Sequence, residues 1–252
     1  DLERLLWDAA ENSQFFDVRS FAYERLGENN KSISEIVKNT KKNKNVDEIF
    51  EKIVDEETLE DIAINAIDRN YRRRSLEKIE SEEILYDLVF KVKDSAIRKS
   101  AVNKENFTDE EILIKVASQD KDEGVKIAAV NKIENEDMLA QIAKNEENAK
   151  IRSIIFGKIK DSSILKSIAM ESEKSDVRLD IVNKLDDDDL LAEIALNDTD
   201  SVVRSEAVKK VTSHDALLKI VSTEKDPFVR QIAVKNLNDR EELIKIALND
   251  ED

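Results

Sequence analysis

The chain has 252 residues, 40% apolar and 39% charged, with 3 Gly, 1 Pro and no Cys. Frequent Ile, Leu and Val can build a core, so the high charge does not signal disorder, and so few Gly and Pro leave helices uninterrupted. The lack of cysteine excludes a disulfide framework, a thiolate nucleophile and a Cys-ligated zinc site; the net charge of -16, divided evenly between the two halves, disfavours non-specific phosphate binding.

The first stretch, LERLLWDAAENS, predicts a helix with Leu2, Leu5, Leu6 and Ala9 on its apolar side. Nine of the 12 aromatic residues lie within residues 1–90. Trp7, Phe15, Phe16 and Tyr23 are candidate interface anchors, because exposed aromatics are typical of binding hot spots. The competing expectation is that these rings fill a less regular N-terminal core.

From Val18-Arg19 onward, an apolar residue followed by a charged one returns at a nearly constant interval. It recurs at Val46-Asp47, Tyr71-Arg72, Ile97-Arg98, Val125-Lys126, Ile151-Arg152, Val177-Arg178, Val203-Arg204 and Val229-Arg230, and the last four intervals are each 26 residues. Each unit predicts two short helices. In the eighth, Val203, Ala207, Val208 and Val211 share one helical face. A turn over Thr212-Ser213-His214-Asp215 leads to a second stripe, Leu217, Leu218, Ile220 and Val221. Asp68, Asp94, Asp122, Asn148, Asp200 and Asp226 each stand three residues before a marker, the N-cap position. A helix of about 11 residues is marginal alone in water. Stacked pairs build a continuous core, so the repeat implies an all-α solenoid of about nine two-helix units, one domain over 1–252.

Within this pattern the arginines Arg98, Arg152, Arg178, Arg204 and Arg230 predict a structural ladder, reaching a carboxylate or carbonyl of the neighbouring unit. Lys41, Lys42 and Lys44 precede the second unit, and Arg69, Arg72, Arg73 and Arg74 stand at the same phase of the third. Equal phase predicts one local basic patch for a phosphate, RNA or acidic peptide; the alternative is loop charge neutralised by nearby acids. The mid-positions Asp87, Lys115, Gln141, Ser167, Glu193, Lys219 and Lys245 should line one broad face of mixed sign.

Catalytic signals are weak. His214 is the only histidine, and it has no Ser or Cys partner in an evident motif. No GxGxxG, P-loop or HExxH occurs. The run Asp186-Asp187-Asp188-Asp189 lacks the alternating ligands and glycine of a calcium loop and reads as a helix start.

The pattern D-x-x-V-R-x-x-A-V followed by L-L-x-x-I-A-x-(N/K)-D resembles short HEAT-like repeats, including those of phycobilisome lyases, and is similar to the leucine-rich repeat variant. The resemblance covers about residues 16–252 and is clearest from Ile97; it departs at Val46-Asp47, where the arginine is absent. It implies a right-handed superhelix of helix pairs and a binding or scaffolding role, with no catalytic motif. The leucine-rich variant family can carry an iron–sulfur cluster on a cysteine-rich segment, which does not transfer to a chain without cysteine.

The expectation is therefore a cytoplasmic, non-enzymatic scaffold for a protein or peptide, with no cofactor or metal. The alternatives are a nucleic-acid-binding solenoid using the basic patch and a HEAT-like enzyme of lyase or glycosylase type. The ninth unit keeps the interior pattern through Val229, Ala233, Val234, Leu237, Leu243, Ile244 and Ile246. This predicts a segment of a longer array with an apolar C-terminal face open to end-to-end self-association.

Overall fold

The computed structural model describes residues 2–26, 30–41 and 44–237, with isolated positions 244 and 248. All regular structure among the described residues is α-helical. Two compact units divide at residue 132.

In the first unit the helices are α1 Leu2–Asn12, α2 Phe16–Leu26, α3 Asn30–Asn39, α4 Lys44–Glu51, α5 Glu56–Asn65, α6 Arg69–Lys78, α7 Glu82–Lys91, α8 Ser95–Val102, α9 Glu110–Gln119 and α10 Glu123–Lys132. In the second they are α11 Glu136–Asn145, α12 Ala149–Lys158, α13 Ser162–Glu171, α14 Ser175–Lys184, α15 Asp188–Asn197, α16 Ser201–Lys210, α17 His214–Thr223 and α18 Pro227–Asn236. Every sequence marker falls on an even-numbered helix. Each even helix packs on the odd helix before it; even helices also stack on even in α2–α4, α6–α8–α10 and α12–α14–α16–α18, and odd on odd in α3–α5–α7 and α11–α13–α15–α17. This is the solenoid-like arrangement that short amphipathic pairs need to bury both stripes.

The core is the marker column and its helical neighbours. The eight markers from Val46 to Val229 are at most 2% exposed. Phe50 and Tyr71 are fully buried and lie 5.5 Å apart, and buried Phe107 meets Tyr86 edge-on at 4.9 Å. Some of the N-terminal aromatic excess is thus core.

Helix starts follow the cap column. Asp68, Asp94, Asp200 and Asp226 each accept the backbone N–H two residues on, and Asn148 accepts those of Lys150 and Ile151. Asp187 caps α15, with Asp188 and Asp189 in its first turn, where a helix favours negative charge. His214 differs from its expected place. The Ser213 hydroxyl accepts the Ala216 N–H at 3.3 Å, so Ser213 is the cap and His214 is the first helical residue.

Helix ends show why so little glycine suffices. No described residue has a positive φ. The C-cap residues of the odd helices are extended at Ala66, Val92, Glu146, Ser172, Asp198 and Glu224. An extended C-cap lacks the left-handed glycine that usually satisfies the last carbonyls. Side chains from other positions supply the donors instead.

Candidate functional site

The arginine column satisfies the ends of the odd helices. Arg204 Nη1 donates to the carbonyls of Asp198 and Thr199 at 2.9 and 3.4 Å. Arg98, Arg152, Arg178 and Arg230 do the same six and five residues upstream of themselves. In Arg98, Arg152, Arg178 and Arg204 the rest of the guanidinium reaches the next helix pair. Arg98 is bidentate on Asp120, Arg178 on Asp198 and Arg204 on Glu224. Each of these carboxylates is a C-cap residue of the next odd helix.

Where that column lacks an acid, another position supplies one. Val92 replaces it after Arg72, which pairs with Asp94 at 3.2 Å. Ser172 replaces it after Arg152, which turns to Asp180 at 2.6 Å and Asp176 at 3.1 Å. The Ser172 hydroxyl is left buried without a partner. At Val46-Asp47, where the pattern loses its arginine, the polarity is inverted. Asp47 accepts from Arg74, which stands in the helix column that holds Asp180 opposite Arg152. The second unit therefore keeps the rung-to-rung ion pair with the charges exchanged.

Two further columns stitch neighbouring rungs, and their roles lie beyond the sequence reading. Seven residues after the marker stands Lys or Asn. Lys78, Lys104, Lys210 and Asn236 donate to the last carbonyls of the preceding even helix, Lys210 for example to Val182 at 3.1 Å, while Lys132 donates to the Lys104 carbonyl, two residues past the end of α8, at 2.6 Å. The first residue of several odd helices caps the next turn. Glu56 accepts the N–H groups of Glu80 and Ser81, Glu136 those of Lys160 and Asp161, and Asp188 those of Thr212 and Ser213. The sequence signal was the recurrence of these residue types, which spacing alone ties to no atom.

The arginines of the proposed basic patch, Arg69, Arg72, Arg73 and Arg74, do not converge. Lys42 lies outside the described residues, and Lys41 is an exposed loop residue. Lys44 and Arg74 share a shallow cleft of about 450 Å³ with Asp47, Glu48, Glu51 and Asn70, so carboxylates outnumber cations. Arg74 pairs with Asp47 and Glu51 and lies over the Phe50 ring at 4.5 Å. Arg69 and Arg72 turn the other way, to Asp94, while Arg73 pairs with Glu77 on its own helix. Burial pushes the Asp94 carboxyl up, but Arg72, the Ala96 N–H and the charge of Arg69 together hold it below the usual carboxylate value.

Of the odd-helix mid-positions, Asp87, Lys115, Gln141 and Lys219 are exposed. Ion pairs cross this face between rungs, as in Lys91–Glu60, Lys144–Glu171 and Lys166–Glu193. Lys245 lies outside the described residues, as do Leu243 and Ile246 of the expected C-terminal face; of that face Val229, Ala233 and Leu237 are buried, Val234 is half-buried and Ile244 is exposed, as is Leu248. Among the described residues no group of three or more His, Asp or Glu is placed to hold a metal, and no helix is long and apolar enough to cross a membrane.

The largest departure from the repeat is at α1 and α2. Phe15 is 69% exposed, Phe21 62%, Val18 41%, Leu2 68% and Leu5 65%. Val18 is a marker, so its exposure contrasts with the other eight. Phe15 occupies the column that holds Asp or Asn caps on α6, α8, α12, α16 and α18. Leu2 occupies the column of Ser81, Asp109 and Asp187, caps of odd helices. Among the other expected anchors, Trp7 is half-buried, and the side chains of Phe16 and Tyr23 lie outside the described residues.

No family model matches this sequence, and no curated protein matches it. A chain from a structure described as "Computational Design of Self-Assembling Cyclic Protein Homooligomers" aligns with 98% of this chain and 77% of its own length. The identity is 12% and the TM-score 0.12, too low to transfer a fold or a role.

Proposed function

We propose that the chain is a non-catalytic scaffold that binds a protein through the apolar surface of α1 and α2. The observation that carries this reading is the exposure of Phe15, Val18 and Phe21 together, Phe15 in a column of polar caps and Val18 in a column that is buried in every later unit. A capping side chain is worth about 1 kcal/mol to a helix. A sequence that places phenylalanine at such a position, Phe15 before α2, forgoes that stability and exposes apolar area, which marks a surface to be covered. The carboxylate partners of Arg69, Arg72, Arg73 and Arg74 support a protein partner over a phosphate ligand at the basic stretch of α6.

The test is capture from the native source with the wild-type chain and with the double variant Phe15→Ser, Phe21→Ser. A partner retained by the wild type and lost by an equally stable variant is expected. Equal recovery by both would remove α1 and α2 as the binding surface.

A further inference from the structure

We infer that two successive clefts of the second unit hold a segment of a partner protein in the polyproline II conformation, with apolar side chains at its positions i and i+3. The site stands on other residues than α1 and α2 and does not depend on that reading.

The clefts lie where odd helices end and even helices begin. The first, of about 400 Å³, lies between Met170, Ser172 and Glu173 of one helix pair and Ile194, Asn197 and Thr199 of the next. The second, of about 300 Å³, lies between Ala195, Leu196 and Arg204 of that pair and Thr223 and Lys225 of the one after it. Met170 and Leu196 stand 26 residues apart, so the clefts repeat with the rungs. Their column, seven residues before the marker, reads Lys144, Met170, Leu196 and Ser222 across the second unit. Its two apolar residues are the two that wall these clefts. Met170 is 45% exposed and Leu196 is half-buried. The rungs on either side hold lysine and serine there, so the repeat itself does not require an apolar pair.

A second observation concerns hydrogen bonds. Ser172, only 7% exposed, lines the first cleft, and its hydroxyl has no partner. A buried hydroxyl left unpaired costs free energy that a ligand carbonyl recovers. Thr199 Oγ1 accepts from Arg178 at 3.4 Å and keeps its own proton to donate. Asn197 Nδ2 donates to the Glu193 carbonyl at 2.9 Å, which leaves the amide oxygen to accept. Donors and an acceptor together suit a peptide backbone, which carries both kinds of group.

Spacing selects the conformation. Packed helices stand about 8–10 Å apart. Polyproline II has three residues per turn and rises about 3.1 Å per residue, so i and i+3 share a face about 9 Å apart. A β-strand places same-face side chains about 7 Å apart and turns i and i+3 to opposite faces. Polyproline II also leaves its backbone groups unpaired, free for the cleft walls. Charge marks the two ends. Glu173 is exposed at the first cleft and Lys225 at the second, whereas the Arg178–Asp198 and Arg204–Glu224 pairs are already mutually neutralised. The complementary segment carries a cation beside its first apolar residue and a carboxylate beside its second.

The chain has 2 methionines, Met138 and Met170. With carbon-13 methyl labelling, Met170 reports the first cleft in an NMR titration, and Met138 on α11 is the control. The probes are proline-rich peptides of about ten residues, roughly 30 Å long in this conformation. The first has leucine at i and i+3 with lysine at one end and glutamate at the other. The second exchanges the two charges, the third moves the leucines to i and i+2, and the fourth replaces them by serine. One of the two charge orders should shift the Met170 methyl, leave Met138 in place and bind at least about 10-fold more tightly than the other three peptides. Leu196→Ser, the residue that Ser222 already places in this column, should weaken that binding about 10-fold with little change in melting. Ser172→Asp should weaken it while raising the melting temperature, a split that a purely structural role of Ser172 does not give. An unmoved Met170 signal with every peptide would overturn the proposal. So would equal binding of both charge orders, equal binding of the i, i+2 peptide, or undiminished binding by Leu196→Ser. The peptide comparison uses the wild-type chain and stands whatever the stability of the variants.

Discussion

Arg204 and Glu224 are joined by two hydrogen bonds, Nε to Oε2 at 2.7 Å and Nη2 to Oε1 at 3.1 Å. Glu224 also gives its own carbonyl to Arg230 at 3.0 Å. In the preceding rung Asp198 has the same double role, its carboxylate on Arg178 and its carbonyl on Arg204. Arginine and acid therefore alternate in one chain of bonds, Arg178–Asp198–Arg204–Glu224–Arg230, that couples each helix pair to the next.

Arg204→Ala should destabilise the second unit by about 2–3 kcal/mol, because it orphans a nearly buried carboxylate and two helix-end carbonyls. Thermal melting reports it. Unchanged melting would count against the seam role. Glu224→Gln should cost less, and a double-mutant cycle should show the two losses to be non-additive.

Acid should weaken this link. Burial pushes the Glu224 carboxyl up, but Arg204 and the N–H groups of Asp226 and Lys225 outweigh burial and hold it below the ordinary glutamate value. A depressed folded pKa gives stability that is present above the unfolded value, about 4.3 for Glu, and is lost as pH falls toward the folded one. The stability gap between wild type and Glu224→Gln should be constant near neutrality and close below about pH 4. A gap that widened on acidification would contradict the assignment.

Ser172→Asp should stabilise the protein by up to about 1 kcal/mol. It places a carboxylate 20 residues after Arg152, the spacing of Asp198 from Arg178 and Glu224 from Arg204. It also removes a buried hydroxyl that has no partner. The gain should vanish in an Arg152→Ala background; a gain that persisted there would have another origin.

Two adjacent lysines should behave differently. Lys210 donates to the carbonyls of Val182, Asn183 and Leu185, whereas Lys209 pairs with Glu206 on the helix surface. Lys210→Met should cost about 1 kcal/mol and Lys209→Met less than about 0.5. Equal losses in denaturant titrations would show that the carbonyl contacts contribute nothing measurable.

Arg73→Glu should leave melting nearly unchanged, since its partner Glu77 is an exposed neighbour one turn away. Arg74→Glu should lower it clearly, because it sets a third acid against Asp47 and Glu51 and removes the cation over Phe50. Comparable melting of the two variants would mean that the Arg74 contacts do not bridge α4 and α6.

The 26-residue return of Val-Arg by itself determined the helix pairs, their caps and the buried marker column. Those features depend on contacts within about one helical turn or on a stripe that must be covered, and both are written as spacing. It also showed that the arginines belong to the repeat. Their atoms, and those of Lys210 and Asp188, were decided only in three dimensions, because each bonds to backbone groups, which leave no mark in sequence. The basic patch failed to assemble for the same kind of reason. Equal phase put Lys44 and Arg69 on corresponding positions, but a long side chain turns toward the nearest opposite charge, and Asp47, Glu51 and Asp94 drew Arg74 and Arg69 apart. The sequence offers Phe15 among its candidate anchors and Phe21 as an ordinary apolar residue. Only stacking, which covers every later marker and leaves Val18 open, sets them on a surface.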